Sequence, residues 1–190
     1  MADLLGLRFI AAGVPIEKID PRLKPGDLKL VARTSDAFIY ENPRALPRVL
    51  FVSSWQLADF EALTASGDWP QFDPTRTVLL EEAPAIEAAE ASDQPPSGSK
   101  VGSKVAIRHY ENTKVVVEVE AAQAGFVVLN DVWHPWWTVD VDGEDMPILR
   151  ANVLFRAVYV PAGHHVLTFE FKPISSAVEE IGERLMEPSG

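Results

Sequence analysis

The chain has 190 residues, of which 47% are hydrophobic, and its formal net charge is −11 at pH 7. A chain of this length and apolar content can bury one sizeable core or two small ones, which excludes disorder over its whole length. The acidic balance repels phosphate backbones and anionic lipid headgroups, so nucleic-acid binding is disfavoured. Cysteine is absent, which excludes disulfides, thiolate metal sites and cysteine nucleophiles.

The N-terminal residues do not have the features of a signal peptide. Residues 1–13 lack a basic region and include only a short apolar run. No stretch approaches the roughly 20 apolar residues that a membrane helix needs. We therefore expect the chain as it stands to be soluble and unexported.

Residues 1–81 predict a small N-terminal α/β part. Residues 4–12 are apolar and predict a short helix or an entry into a strand, and the proline-rich residues 14–26 are irregular. A brief helix is expected at 59–65, with Asp59 as its N-cap. Strands are predicted at residues 28–33, 37–40, 48–53 and 75–81.

Residues 82–104 change in composition to Ala, Glu, Ser, Pro and Gly, with almost no large apolar residue. Such a segment cannot bury enough apolar surface to order itself, and it predicts a flexible linker or a long loop. Its GSKVGSK stretch has the wrong spacing for a phosphate-binding loop and follows no strand.

Residues 105–173 predict an antiparallel β-sandwich of jelly-roll or immunoglobulin-like type. Val115, Val117 and Val119 share one face while Val116, Glu118 and Glu120 take the other, as in a strand with one face on a core. Asp142-Gly143 is a tight-hairpin signal because glycine tolerates positive φ. Six strands with short turns are predicted at residues 105–110, 114–121, 125–130, 136–141, 152–160 and 165–171.

Residues 174–190 predict a short amphipathic helix and a tail. Ile174, Val178, Ile181 and Leu185 recur at helical spacing, with acidic residues between them. Because the polar face is acidic, we expect this helix to pack on the domain rather than to dock on a membrane.

The most distinctive local sequence lies between the third and fourth of these six strands. If Trp133 and Trp136 face outward, their rings can stack on sugars while Asn130, Asp131 and His134 bind hydroxyl groups. If the two rings face inward, they are ordinary core residues. The alternation of inward and outward positions along the strand does not decide whether Trp136 is exposed.

The histidines and Trp137 have simpler explanations than a binding site. His134, His164 and His165 with Asp131 do not form a convincing metal site, because neighbouring side chains on a strand diverge, so the histidines are interpreted as surface turn residues. Trp137 shares a face with valines and is expected in the core.

The carboxylates near the hairpin suit turn formation and solubility, and nothing in the sequence indicates a raised pKa. They are Asp140, Asp142, Glu144 and Asp145. There is also no nucleophile elbow. No catalytic residue, metal or cofactor is therefore predicted, and a free-standing hydrolase is only a third class of function.

Two segments resemble the closing region of bacterial YfhO-like membrane proteins. Residues 148–171 read ILRANVLFRAVYVPAGHHVLTFEF and resemble the pattern ILRANxxFRxVxVPAGxHxVxFxY. Upstream, the pattern SDxxxPGWxAxVDG is matched at Asn130-Asp131, Pro135, Trp137 and Val141-Asp142-Gly143. Two weaker matches agree in order, DLLGLRFI at 3–10 with LLGVRYVV and YENPRALPRV at 40–49 with YENPxALPRxxxV.

The resemblance implies a place in a larger membrane protein. Such family members look like multi-spanning glycosyltransferases that use polyprenyl-phosphate sugars, with this region on the extracytoplasmic side. The implied catalytic acid belongs to an early loop that no position here matches. The chain departs from the family at Trp136, where glycine is usual, and after the last strand, where a membrane helix is usual.

The main hypothesis is a non-catalytic extracytoplasmic accessory domain whose partner is the membrane-embedded portion of its parent protein. The alternative is a carbohydrate-binding module that uses Trp133, Trp136 and nearby Asn130, Asp131 and His134 to bind cell-envelope glycan. No nucleic-acid partner is expected.

Overall fold

The computed structural model describes residues 2–21, 23–24, 26–84 and 102–173. The chain divides into two compact units, residues 1–48 and residues 49–190. The predicted C-terminal helix and most of the predicted linker lie outside the described residues. The division at residue 48 differs from the predicted boundary at residues 82–104, because strands from both sides of that segment pair within one sheet.

The first unit is a three-stranded antiparallel sheet. Its strands are β1 (Phe9–Ala12), β2 (Lys29–Arg33) and β3 (Phe38–Glu41), in the order β1-β3-β2, and a 3₁₀ turn spans Ile16–Lys18. Ala12, Ile16 and Tyr40 form its small core, and the Tyr40 hydroxyl accepts a hydrogen bond from the Ile16 N–H at 3.2 Å. Of the two readings of residues 4–12, the entry into a strand is the one observed.

The second unit contains one helix and eleven strands among its described residues. The helix is α1 (Phe60–Ser66). The strands are β4 (Val49–Val52), β5 (Ser54–Leu57), β6 (Thr77–Leu80), β7 (Lys104–Tyr110), β8 (Lys114–Ala121), β9 (Gly125–Leu129), β10 (Trp137–Val141), β11 (Glu144–Met146), β12 (Leu149–Ala151), β13 (Phe155–Val160) and β14 (Gly163–Phe171).

These strands form two sheets. One has five strands in the order β11-β10-β14-β8-β7, and the other has six in the order β4-β9-β13-β12-β6-β5. The pairing is antiparallel except between β5 and β6, which α1 connects in parallel. Alternate residues of both sheets meet in one core, which includes Val117, Val119, Leu129, Val158 and Phe169. The predicted mainly-β antiparallel sandwich is confirmed.

Helix α1 begins after the predicted N-cap, Asp59, and ends at a glycine. The Asp59 carboxylate accepts a hydrogen bond from the Ala62 N–H at 2.9 Å, which satisfies one of the free donors at the helix start. Gly67 closes the helix with φ of +74°, and its N–H donates to the Leu63 carbonyl. Phe60 and Leu63 are buried against Leu79 and Val153. No helix among the described residues is long and apolar enough to span a membrane.

The predicted strand at 152–160 is observed only from Phe155 onward, because its first residues form a hairpin turn. Asn152 (φ 47°) and Val153 (φ 73°) form a turn between β12 and β13, so strand β13 begins only at Phe155. The Asn152 side chain accepts a hydrogen bond from the Leu79 N–H at 3.0 Å, and the Asn152 N–H donates to the Leu79 carbonyl at 2.9 Å. Asn152 thereby extends the pairing of β6 while making the turn.

Gly125 lies at the start of β9, close to the end of β4. A Cβ at this position would lie 2.5 Å from the Val52 carbonyl oxygen and 2.6 Å from the Phe51 ring. Only glycine allows this approach, so residue 125 fixes the pairing of the two strands.

Candidate functional site

The segment with the tryptophans connects the two sheets at one end of the sandwich. We call residues 130–136, between β9 and β10, the crossing loop. The Trp133 N–H donates to the Leu154 carbonyl at 2.7 Å, and the Trp136 carbonyl accepts from the Lys172 N–H at 2.9 Å. Since Leu154 lies beside β13 and Lys172 follows β14, the backbone of the loop is tied to both sheets.

Three side chains at this end form a partly exposed aromatic cluster, which we define as His134, Trp136 and Phe171. The His134 ring meets Trp136 edge to face at 4.9 Å between centroids and Phe171 at 5.5 Å. His134 is exposed, and Trp136 and Phe171 are half-buried. The Trp136 N–H donates to His134 Nδ1 at 3.2 Å, which in the neutral ring leaves Nε2 as a hydrogen-bond donor.

Trp133 has other neighbours. The Arg150 guanidinium lies 5.9 Å from the Trp133 ring and 5.6 Å from the Phe60 ring, and it pairs with Glu81 at 3.2 Å. Arg150 therefore joins Trp133 to the α1 side of the six-stranded sheet. The structure gives the two predicted stacking rings, Trp133 and Trp136, different sets of contacts.

Asp131 has contacts inside the domain. Its carboxylate accepts hydrogen bonds from the Tyr110 hydroxyl at 3.1 and 3.2 Å and pairs with Arg156 Nη2 at 3.4 Å. The Asp131 side chain is only 14% exposed. Asp131 therefore fixes the crossing loop to Tyr110 and Arg156. Asn130, beside it, is half-buried.

Arg156 is the largest fully buried side chain among the described residues. Its guanidinium lies 4.0 Å from the Trp137 ring and 5.6 Å from the Phe169 ring, while its Nε and Nη1 have no hydrogen-bond partner within the described ranges. Burial lowers the pKa of Arg156 to about 10, although the charge of Asp131 opposes this shift.

No role was predicted for Arg156, although the sequence contains a signal for it. Arg156 shares a strand face with Val158 and Val160, both in the sandwich core. A charged residue at an inward position of an apolar strand predicts a buried cation that needs a partner. Trp137, expected in the core by the same alternation, packs against that core and against the Arg156 guanidinium.

The two adjacent histidines bind different carboxylates. His164 Nε2 lies 2.7 Å from Glu118, and His165 Nδ1 lies 2.6 Å from Asp142. The hydrogen bond to Glu118 raises the pKa of His164. His165 is not the surface turn residue that was predicted: it lies within β14 with its side chain 13% exposed, because alternation turns it away from its neighbour. The described residues contain no group of three potential metal ligands.

Two carboxylates of the β10–β11 hairpin, those of Asp140 and Asp142, have structural contacts. Asp142 (φ 54°) and Gly143 (φ 95°) form the turn, and Asp140 accepts a hydrogen bond from the Gly143 N–H at 2.9 Å. The Val166 N–H and the His165 ring both bind the Asp142 carboxylate and lower its pKa, the backbone bond being the stronger cause. A general acid needs the opposite shift.

Comparison of the chain with family models, with curated proteins and with solved structures gives no match. The resemblance described above therefore rests on the quoted residues alone, and what it implies about function stays a prediction.

Proposed function

We propose that this chain is a non-catalytic accessory domain on the extracytoplasmic side of a bacterial membrane protein that resembles polyprenyl-phosphate-sugar-dependent glycosyltransferases. The membrane-embedded portion of that protein is its partner. The proposal rests on the resemblance and on one structural observation, which is that residues of the two matching segments contact each other within one sandwich.

The two matching segments form neighbouring parts of one sandwich. Residues 130–143 contain the crossing loop, β10 and its turn, and residues 148–171 contain β12, β13 and β14. The polar residues of one segment bind those of the other: Asp131 pairs with Arg156, and Asp142 binds the His165 ring. Because these residues contribute to a core and a turn, we infer that the resemblance reflects a fold shared with that family rather than an active site.

The decisive experiment is to determine the reading frame that surrounds this sequence in its source and to assay the protein it encodes. We expect coding sequence for membrane helices upstream. We also expect glycosyl transfer from a polyprenyl-phosphate sugar by the complete protein and no transfer by the purified 190-residue chain. An upstream region without membrane helices, or turnover by the chain alone, would contradict the proposal.

A second candidate function, glycan binding, is favoured by the aromatic cluster. Trp136 and Phe171 are half-buried aromatic side chains whose ring centroids lie 6.2 Å apart, and His134 Nε2 offers a donor beside them. Aromatic faces bind the C–H groups of sugars, while nearby polar groups bind the hydroxyls. Because Trp133 and Asp131 have other contacts, the surface we propose is smaller than the sequence predicted.

Titration of the folded chain with oligosaccharides from the bacterial envelope tests this candidate. We expect Trp136→Ala to abolish binding, since it removes the central ring of the cluster. Trp133→Ala is the matched control, from the same loop, and it should leave the affinity unchanged. Equal loss in both variants, or no binding at millimolar sugar, would remove glycan binding from consideration.

A further inference from the structure

Arg156 contacts both sheets of the sandwich at the end where the crossing loop lies. It belongs to β13 of the six-stranded sheet, and its guanidinium reaches the rings of Trp137 and Phe169, which belong to β10 and β14 of the five-stranded sheet. The Arg156 side chain is only 2% exposed. The cation therefore lies between the two sheets and not at the surface.

Trp137 lies between this cation and the aromatic cluster. Its ring centroid is 4.0 Å from Arg156 Cζ and 5.3 Å from the centroid of Phe171, the residue with which Trp137 is paired in the strand register. The Phe171 ring in turn lies 6.2 Å from the Trp136 ring and 5.5 Å from the His134 ring, within the range of interacting aromatic pairs. A continuous row of side chains therefore leads from the buried cation to the partly exposed cluster.

A second connection runs through the crossing loop itself. Asp131 of this loop pairs with Arg156 Nη2 at 3.4 Å. The same loop includes His134 and Trp136, whose relation to each other is fixed by the hydrogen bond from the Trp136 N–H to His134 Nδ1 at 3.2 Å. Arg156 therefore supports the cluster from two directions, through the row of rings and through the loop.

A charged, planar side chain suits this place better than a neutral one of the same length. A cation over the face of an indole ring is attracted by the electrons of the ring. The Nε and Nη1 of Arg156 have no hydrogen-bond partner within the described ranges, so its position depends on Asp131 and on the rings beside it. An apolar residue would fill the space, but it would neither attract the indole face nor bind the loop.

We propose that Arg156 is a positioning residue for glycan binding by the aromatic cluster. It sets the place of the Trp136 ring through Trp137 and Phe171, and it sets the place of the crossing loop through Asp131. This inference rests on the second candidate function. Aromatic faces that are already held in place lose less conformational entropy when a sugar binds, so a support beneath the cluster raises its affinity.

Fluorine NMR of the chain labelled with 5-fluorotryptophan tests the positioning without any sugar. The chain contains five tryptophans, and replacing each in turn with phenylalanine assigns their signals. We expect Arg156→Met to shift or broaden the signals of Trp137 and Trp136 and to leave the other three in place. The change at Trp136 is decisive, because the ring contacts of this residue are with Phe171 and His134.

Two further variants show whether the effect belongs to this cation. Arg150→Met is the matched control, because Arg150 also lies near a tryptophan of the crossing loop, 5.9 Å from the Trp133 ring. It should move the Trp133 signal and leave that of Trp136 in place. Arg156→Lys keeps a charge beside Asp131 but lacks the planar guanidinium, so it should move the Trp136 signal by a smaller amount than Arg156→Met.

Titration with the bacterial-envelope oligosaccharides connects this positioning to binding. Arg156→Met should weaken binding about fivefold, as is typical of a substitution that acts on a site without contacting the ligand. Arg150→Met should leave the affinity unchanged. Circular dichroism of each variant, matched to the unmodified chain, establishes that a loss of binding is not a loss of folding.

Three results would overturn the proposal. They are a Trp136 signal that Arg156→Met and Arg156→Lys both leave in place, equal movement of that signal in Arg156→Met and Arg150→Met, or unchanged sugar affinity in Arg156→Met when Trp136→Ala abolishes binding. Each of these leaves the glycan candidate standing. If instead the unmodified chain binds no sugar, the glycan candidate fails and the proposal fails with it.

Discussion

Arg156 and Asp131 form a buried ion pair, and Arg156 is the more buried of the two. We expect removal of the Arg156 charge to cost less free energy of unfolding than removal of the Asp131 charge. Arg156→Met replaces the guanidinium with an apolar side chain of comparable length. Asp131→Asn keeps the shape of the carboxylate but leaves the Arg156 cation in the core without its counter-charge. We expect the second variant to be the less stable one.

The magnitude follows from the pKa of Arg156, which burial lowers from 12.5 to about 10. At about 1.4 kcal/mol per pH unit, the charged guanidinium raises the free energy of the folded state by about 3 kcal/mol at pH 7. Arg156→Met removes this cost and also removes the contact with the Trp137 ring at 4.0 Å, worth about 2 kcal/mol. The variant should therefore stay within about 1 kcal/mol of the unmodified chain.

Asp131→Asn has no such compensation. Breaking a buried ion pair by removing one partner costs about 3 kcal/mol, which in a domain of this size lowers Tm by about 9 °C. In the double variant with Arg156→Met the same change should cost little, because no cation is left behind.

Urea unfolding followed by tryptophan fluorescence measures these differences. All five tryptophans lie between residues 55 and 137, so the signal reports on the second unit. A variant Arg156→Met that loses as much free energy of unfolding as Asp131→Asn would refute the reasoning. It would mean that the guanidinium stabilises the fold more through its ring contacts than its burial costs.

Three further predictions concern other parts of the second unit. Gly125→Ala should lower the free energy of unfolding by about 2 kcal/mol, because its Cβ would lie within 2.5 Å of the β4 backbone, whereas Gly102→Ala meets open space and should change nothing measurable in the same urea titration. Asn152→Ala should cost about 2 kcal/mol, because a buried N–H of β6 loses its acceptor, and Asn152→Gly, which tolerates the positive φ, should lose as much if that bond is the cause. The Tm difference between the unmodified chain and His164→Gln should be largest between pH 4.5 and 6.5. The contact between His164 and Glu118 holds the pKa of Glu118 below 4.5 and that of His164 above 6.5, so both groups are charged in this range. The difference should vanish as pH rises through the raised pKa of His164. A difference that does not change from pH 5 to pH 9 would count against an ionic contact.

The sandwich could be predicted because strands such as β8 alternate between buried and less buried residues. Val115, Val117 and Val119 are buried as their spacing indicates, and Asp142-Gly143 makes the predicted turn. The Asp59 cap is likewise a local signal. Such features depend on residues near one another in sequence, where the period of the side chains and the preferences of the backbone determine the outcome.

The remaining features depend on contacts between distant residues. The turn at Asn152 was not predicted because Val153 favours a strand. The positive φ of Asn152 accompanies its hydrogen bond to Leu79 of β6, which is distant in sequence. Likewise, no local pattern shows that Trp133 lies against Arg150 while Trp136 lies against Phe171. The sequence is enough to place a candidate surface on the crossing loop, but the separation of Trp133 from Trp136 required the three-dimensional structure.

The six-stranded sheet joins strands that are made far apart in time. Strand β4 ends at Val52 and pairs with β9, which begins at Gly125, while β6 pairs with β12. At the usual rate of synthesis, β4 leaves the ribosome on the order of ten seconds before its neighbour. During that interval its apolar residues and unpaired backbone groups are available to other chains. The period before residue 125 emerges is therefore when the nascent domain is most prone to aggregate.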